Sequence, residues 1–293
     1  MNTILLTGAS GQVGWELRNA LAPLGRVIAP GRDELDLTSA EAIRTTIRAA
    51  APAIIVNAAA YTAVDKAEGE PTLAMQVNAV APGVMAEEAR HIGALLVHYS
   101  TDYVFDGTKN SPYVEDDPPR PLSIYGKSKL EGERAIAATG CRHLILRTSW
   151  VYSARRGNFV LTMLKLARER SELAVVSDQV GSPTSAKALA KSTAALLQNI
   201  AAGNAATGLY HLSATGSASR HELVRRMIEL ARESGGGNTW ASLRAAKTAD
   251  FPLPAARPPY SVLDNGKIRR DFGIEMPTWE AQLSACFREL ANP

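Results

Sequence analysis

A glycine-rich turn sits directly behind the first apolar run of the chain, and this placement limits the fold more than any other feature. Thr3-Ile-Leu-Leu-Thr7 reads as a short buried strand. Gly8-Ala-Ser-Gly11-Gln-Val-Gly14 follows without a spacer and opens a segment of helical period from Gln12 to Leu24. A tight strand-to-helix turn of this kind suits the first βα junction of a parallel sheet that binds a dinucleotide. Gly8 permits the turn, Gly11 lets the backbone approach a pyrophosphate, and Gly14 lets the helix lie close to the strand. Gln12 and Val13 belong to the same phosphate-binding set, where free N–H groups and the positive end of the helix dipole favour an anion. The spacing is G-x-x-G-x-x-G, not G-x-G-x-x-G.

Behind this turn, apolar runs and helical periods alternate. Arg26–Ala29 precedes a helix over Ala40–Ala51, Ala53–Val56 precedes Thr72–Ile92, and Leu95–Tyr99 precedes a helix near Tyr125–Ala138 and then His143–Arg147. Continuous apolar strands between amphipathic helices predict an α/β fold, a Rossmann-type doubly wound parallel sheet covered on both faces. After Trp150 the alternation loosens, with Pro/Gly punctuation at Gly181-Ser-Pro183, Gly235-Gly-Gly237 and Pro252–Pro259. The expected division is a dinucleotide-binding domain over residues 1–150, to which later segments can return, and a smaller, mostly helical substrate-binding lobe over 151–293. Its helices are expected near Phe159–Arg170, Lys187–Ala201, Arg220–Ser234 and Thr278–Leu290.

With 293 residues, 46% hydrophobic and 21% charged, and a net charge of +3 spread along the chain, the composition is that of an ordinary globular protein and offers no basic tract for nucleic acid. The opening residues lack the cationic start of an export signal, and the longest apolar stretch is shorter than the roughly 20 residues that span a bilayer. The expectation is a cytoplasmic protein without membrane contact. Cys141 and Cys286 stand far apart with no metal-ligand or disulfide spacing and read as packing residues.

At the end of the second strand, Pro30-Gly31-Arg32-Asp33 stands where an acidic residue would hold the ribose 2′-hydroxyl of NAD. Arg32 can pair with the 2′-phosphate of NADP, which favours NADPH; Asp33 and Asp36 leave NADH open.

Tyr125-Gly-Lys-Ser-Lys129 places a phenol and an ammonium on one helix face, about 6 Å apart. A free tyrosine has a pKa near 10, so it serves as an acid at neutral pH only where a cation such as Lys129 or an oxidised nicotinamide stabilises its phenolate. Tyr99-Ser-Thr-Asp-Tyr-Val-Phe105 lies at the C-terminal end of a strand, where ligands of open α/β sheets bind. The Ser100 and Thr101 hydroxyls there can bond a substrate carbonyl together with the tyrosine.

Taken together, Gly8-x-x-Gly11-x-x-Gly14, Val56-Asn-Ala-Ala-Ala60, Asn78, Ser100-Thr-Asp102 and Tyr125-x-x-x-Lys129 resemble the extended short-chain dehydrogenases. Longer blocks, among them Thr62–Glu68, His98–Phe105, Arg147–Tyr152, Asp178–Thr184 and Gly208–Leu212, resemble the dTDP-4-dehydrorhamnose reductase branch. That resemblance implies hydride transfer from NAD(P)H to C4 of a dTDP-4-dehydro sugar, with Tyr125, Lys129 and Thr101 catalytic. It implies that Thr101 and Asp102 contact the sugar, that Trp150 packs on it, and that Asp36, Leu37, Ala60, Tyr61, Thr62 and Tyr99 line the cofactor. Arg257 can clamp the substrate's diphosphate or make a surface ion pair. Some relatives hold a magnesium ion with glutamates at a dimer contact. Here Glu16 and Glu289 match two of them, and the middle position is Lys187, which repels a hard cation and can bridge the carboxylates itself. No bound metal is expected, and a homodimer is left open.

Three other readings are compatible with the same fold. A dehydratase carries an acid where Tyr103 stands, and an epimerase retains its NAD through the cycle. A binding module similar to the regulatory subunit of methionine adenosyltransferase would have no use for the complete Thr101, Tyr125 and Lys129 set.

Overall fold

The computed structural model describes residues 2–234 and 239–291; the Gly235–Gly237 punctuation lies outside them. Short runs rich in Leu, Ile and Val form β1 (Asn2–Thr7), β2 (Gly25–Ile28), β3 (Ile54–Asn57), β4 (Leu95–Thr101) and β5 (His143–Thr148). Between them run α1 (Gln12–Leu21), α2 (Ala40–Ala50), α3 (Val64–Ala67), α4 (Pro71–Met75), α5 (Ala81–Ile92) and α6 (Ile124–Thr139). Helix α1 stops at Leu21, short of the expected Leu24, because Pro23 cannot continue the ladder and Ala22–Leu24 tighten into a 3₁₀ turn.

The expected helix over Thr72–Ile92 is interrupted by a π-turn at Gln76–Val80. Pro82 has no N–H to give the Asn78 carbonyl, so the ladder widens there; the Ala81 N–H bonds back to the Gln76 carbonyl. Helix α6 presses against this turn at Gly132, where a Cβ would stand 2.1 Å from the Asn78 carbonyl oxygen.

After β5 come β6 (Val151–Tyr152), α7 (Phe159–Glu169), β7 (Glu172–Val176), β8 (Val180–Gly181), β9 (Thr184–Ser185) and α8 (Ala186–Ala201). They are followed by β10 (Gly208–His211), β11 (Ala218–Ser219), α9 (Arg220–Glu233), β12 (Ser242–Ala246), α10 (Gly266–Phe272) and α11 (Trp279–Ala291). The four helices expected here stand within a residue or two of their places. Three two-stranded sheets, β6 with β9, β8 with β11 and β7 with β12, join them.

The main sheet is parallel throughout, in the order β10-β5-β4-β3-β1-β2. Strand β10 thus returns from the second half of the chain to pair with β5, and α8 packs its Leu189, Leu196 and Leu197 into the same core as Leu17 and Leu21 of α1. A second core gathers Val160, Leu173, Val224, Met227, Trp279, Leu283 and Phe287 from α7, β7, α9 and α11. The chain runs from β1 outward to β2 and then back across to β3, so the connections diverge beyond the C-terminal ends of β1 and β3. A crevice at such a reversal is where an open α/β sheet binds its ligand. Among the described residues, no helix is long and apolar enough to cross a membrane.

Candidate active site

The crevice is a cleft of about 760 Å³ over the C-terminal ends of β1, β3, β4 and β5. Of the cofactor residues expected from the sequence, all but Gly14 line it, together with Ser100, Thr148, Val151 and Arg156. Gly14 acts beneath the surface: a Cβ there would lie 2.1 Å from the Gly8 carbonyl oxygen, so only glycine lets α1 approach β1. Gly8 adopts a left-handed φ of 73°, and a Cβ would meet the Ala59 nitrogen at 2.5 Å. The α1 N-terminus has Gly11 at its cap, no side-chain cap bond and no acidic residue in its first turn, so its N–H groups remain for an anion. Thr148 adds a buried hydroxyl without a protein partner at the wall of the cleft. These donors and the size of the cleft fit a dinucleotide.

Arg32 reaches the cleft as expected. The Asp36 carboxylate accepts from the Thr38 N–H at 2.9 Å and from its hydroxyl at 2.8 Å. Those two bonds, with Arg32 adding a smaller pull, hold it below its ordinary pKa, so it stays an anion at the cleft's edge. Tyr61 is fixed by Asn78, whose Oδ1 accepts the Tyr61 N–H at 2.8 Å.

Ser123 caps α6 by accepting the Gly126 N–H at 3.2 Å, which starts the helix one residue before Tyr125. The close approach of Gly126 to the Tyr103 carbonyl then sets this first turn against the end of β4. Tyr125 lies beside Thr101 and packs edge-on to Tyr103, with ring centroids 5.7 Å apart. Burial drives the Tyr125 phenol upward from its ordinary pKa, the nearby Thr101 hydroxyl opposes this, and Asp102 and Tyr103 add to it. The phenol is therefore a proton holder.

Lys129 shares its helix face and is 1% exposed, but its Nζ points along β4, donating to the Tyr99 carbonyl at 2.6 Å and lying 3.1 Å from His98 Nε2. Burial lowers the Lys129 pKa to about 8, with Glu133 pulling the other way.

The remaining expected residues stand on the second-lobe side. The Asp102 carboxylate is enclosed by hydroxyls, accepting from Ser261 at 2.6 Å, Ser149 at 2.9 Å and Thr101 at 3.1 Å. It joins β4 to the chain beyond β5 and to the segment at Ser261. Trp150 carries a left-handed φ of 45° and abuts Gly181; the Arg220 guanidinium lies over its ring at 3.5 Å from the centroid. A bulky residue held in that conformation is strained, and such strain marks a constrained site. Arg257 grips Asp65 with two bonds, at 2.7 and 3.1 Å, so the ion-pair alternative is the one the structure contains. Its guanidinium also reaches Tyr103, as does that of Arg220.

Arg220 was not expected from the sequence, where it reads only as the first residue of a helix behind the Ser219 cap. Arg156, with φ 59°, was likewise unforeseen. Away from the cleft, Lys187 Nζ pairs with Glu289 at 2.9 Å, and Glu16 lies close enough for its pKa, raised first by burial and then by Glu289, to be pulled down by Lys187.

A parallel doubly wound sheet, a phosphate-ready first turn and a tyrosine and lysine at one cleft define a dinucleotide-binding protein of the extended short-chain dehydrogenase kind. Residues 1–292 match the RmlD substrate binding domain family, and the chain belongs to that family. It is 47% identical over 295 residues to the dTDP-4-dehydrorhamnose reductase of Burkholderia thailandensis, covering 99% of each chain. The crystal structure of dTDP-4-dehydrorhamnose reductase from Bacillus anthracis in complex with NADP superposes with a TM-score of 0.90 at 35% identity, covering 98% of this chain and 99% of that one. The Clostridium acetobutylicum counterpart gives 0.91 at 37% identity with the same coverage.

Proposed function

We propose that the protein reduces the C4 ketone of dTDP-4-dehydro-L-rhamnose to dTDP-L-rhamnose with NADPH in the cytoplasm. Bound in the cleft, the dinucleotide supplies the hydride. The observation that carries this reading is the Tyr125 phenol, beside Thr101, in the same cleft as the glycine turn and Lys129, in a chain similar over its whole length to reductases of that name. Tyr125 holds its proton at neutral pH and can release it only to a strong base, such as the alkoxide that forms at C4. Thr101 orients the phenol and the ketone oxygen together. Lys129, as a cation, then stabilises the phenolate left behind. Trp150, Arg220 and Arg257 form the wall facing the nucleotide sugar, residues 1–150 with the returning β10 and α8 serving the dinucleotide and the rest of 151–293 the substrate. Tyr103, wedged between two arginines, offers no carboxylate for a dehydration.

Coupled oxidation of NADPH and of NADH with this nucleotide sugar tests the assignment. The unaltered protein should favour NADPH. Arg32→Ser should weaken NADPH by roughly 10-fold or more, the loss of one charge-assisted phosphate pair, while NADH changes little. An unaltered preference would remove Arg32 from cofactor choice, and no oxidation with either would remove the reaction. Protein purified without bound nucleotide accords with a reductase, which must exchange its cofactor each turnover.

The Lys187–Glu289 pair is read as replacing a metal, so the fold and any homodimer built on this face need none. Adding Mg²⁺ or a chelator should leave the melting temperature unchanged. Stabilisation that grows with Mg²⁺ concentration would show a site after all.

A further inference from the structure

A chain of buried polar groups leads away from Lys129 to the floor of the first turn. The Asn57 Oδ1 accepts the Ala59 N–H at 3.1 Å and the Thr7 hydroxyl at 2.7 Å. A backbone N–H can only donate, so this oxygen is fixed and the Asn57 Nδ2 must be the group facing His98 Nδ1, 3.0 Å away. Nδ1 therefore accepts, and the single proton of a neutral imidazole is left on Nε2. That nitrogen lies 3.1 Å from Lys129 Nζ. An ammonium has three donors and no lone pair, so it would set N–H against N–H; a neutral amine accepts the Nε2–H and still donates to the Tyr99 carbonyl.

We propose that Thr7, Asn57 and His98 are positioning residues which, through the Nε2–H tautomer of His98, favour the neutral amine of Lys129 in the cofactor-free protein over the ammonium that forms when the anionic dinucleotide fills the cleft. His98 and Asn57 are buried, at 0% and 1% exposure, so solvent does not relieve the conflict. Burial holds the imidazole well below its ordinary pKa, so it stays neutral. The groups acting on Lys129 come from two sides: His98 and the Tyr99 carbonyl from β4, and Glu133 from α6, which is paired with Arg147 of β5 and Ser100. Of these only Glu133 favours the cation by charge, and Arg147 neutralises it. Burial lowers the Lys129 pKa in the same direction, to about 8, so the neutral amine predominates above that pH.

This arrangement rests on the catalytic reading of Lys129 and gives it a condition. The lysine becomes a cation with the cofactor in place, when a phenolate at Tyr125 needs one. The proton comes from solvent on binding, one to the Nζ lone pair. Because the pKa rises from its free value, binding weakens as pH increases above about 8.

The tautomer is read directly on the free, unaltered protein by long-range proton–nitrogen correlation with nitrogen-labelled histidine, the His98 signals being those lost in His98→Gln. A protonated Nε2 with a bare Nδ1 is expected, and the opposite pattern or a charged ring overturns the proposal. Proton uptake on NADPH binding, measured in weak buffer at about pH 8.5 where the cofactor's own 2′-phosphate is fully ionised, should be roughly half a proton or more per site. Lys129→Met should abolish it. Asn57→Asp, which turns the donor facing Nδ1 into an acceptor and so frees Nε2 to accept from an ammonium, should reduce it. No uptake in the unaltered protein overturns the proposal as well. Neither readout involves the sugar, so failure of turnover with dTDP-4-dehydro-L-rhamnose would reject the substrate assignment alone.

Discussion

Tyr125→Phe is expected to lower turnover by about 10²- to 10⁴-fold while leaving NADPH affinity within a few-fold of its original value. Removal of one oxygen deletes the phenol proton assigned to the ketone oxygen and leaves the ring, which still packs edge-on to Tyr103. The loss should fall on kcat, because the hydroxyl matters chiefly as charge appears on the substrate oxygen. Thr101→Val should show a smaller loss in the same direction, since it misaligns the phenol without removing its proton. Steady-state kinetics with fluorescence titration of NADPH separates the two quantities. Unchanged turnover in the Tyr125 variant would take the residue out of the mechanism.

Glu133→Ala should cost about 3–5 kcal/mol of stability, an effect of structure and not of contact with the reactants. Glu133 and Arg147 form a buried pair, with side chains 6% and 3% exposed and two bonds at 2.6 and 2.9 Å. Loss of the carboxylate strands a guanidinium that already has one nitrogen, Nη1, without a partner, and it leaves the Ser100 hydroxyl next to Thr101 without its acceptor. Replacing both members, as in Glu133→Leu with Arg147→Met, should recover much of the loss, because the penalty lies in the unpaired charge. Urea unfolding of the single and double variants measures this. Equal destabilisation of both would mean that the pair contributes by attraction alone.

The contrast between Tyr125 and Arg220 shows what a sequence discloses. Tyr125 and Lys129 are four residues apart on one helix, and Gly8, Gly11 and Gly14 follow a strand directly, so local geometry alone placed them at the cleft. Arg220 reaches Trp150 across 70 positions of chain, and the His98–Asn57 link depends on β3 and β4 pairing in one register; no periodicity encodes either. The same limit applies to the fold. Continuous apolar runs betrayed β1, β3, β4 and β5. Two-residue strands such as β8 and β11 have no pattern to read, and the partly polar, largely exposed β12 looks like loop. The family resemblance located Lys187 beside Glu289, while Asp102, expected against the sugar, also accepts from the adjacent Thr101 and from two hydroxyls, Ser149 and Ser261, far along the chain.

The central claim is hydride delivery to C4 with a proton from Tyr125, and the most direct test is isotopic. With NADPH deuterated at the transferable position of its nicotinamide, dTDP-4-dehydro-L-rhamnose should yield dTDP-L-rhamnose carrying one deuterium at C4, with one cofactor oxidised for each product formed. Deuterium at another carbon, or product formed without net oxidation of the cofactor, would contradict the account.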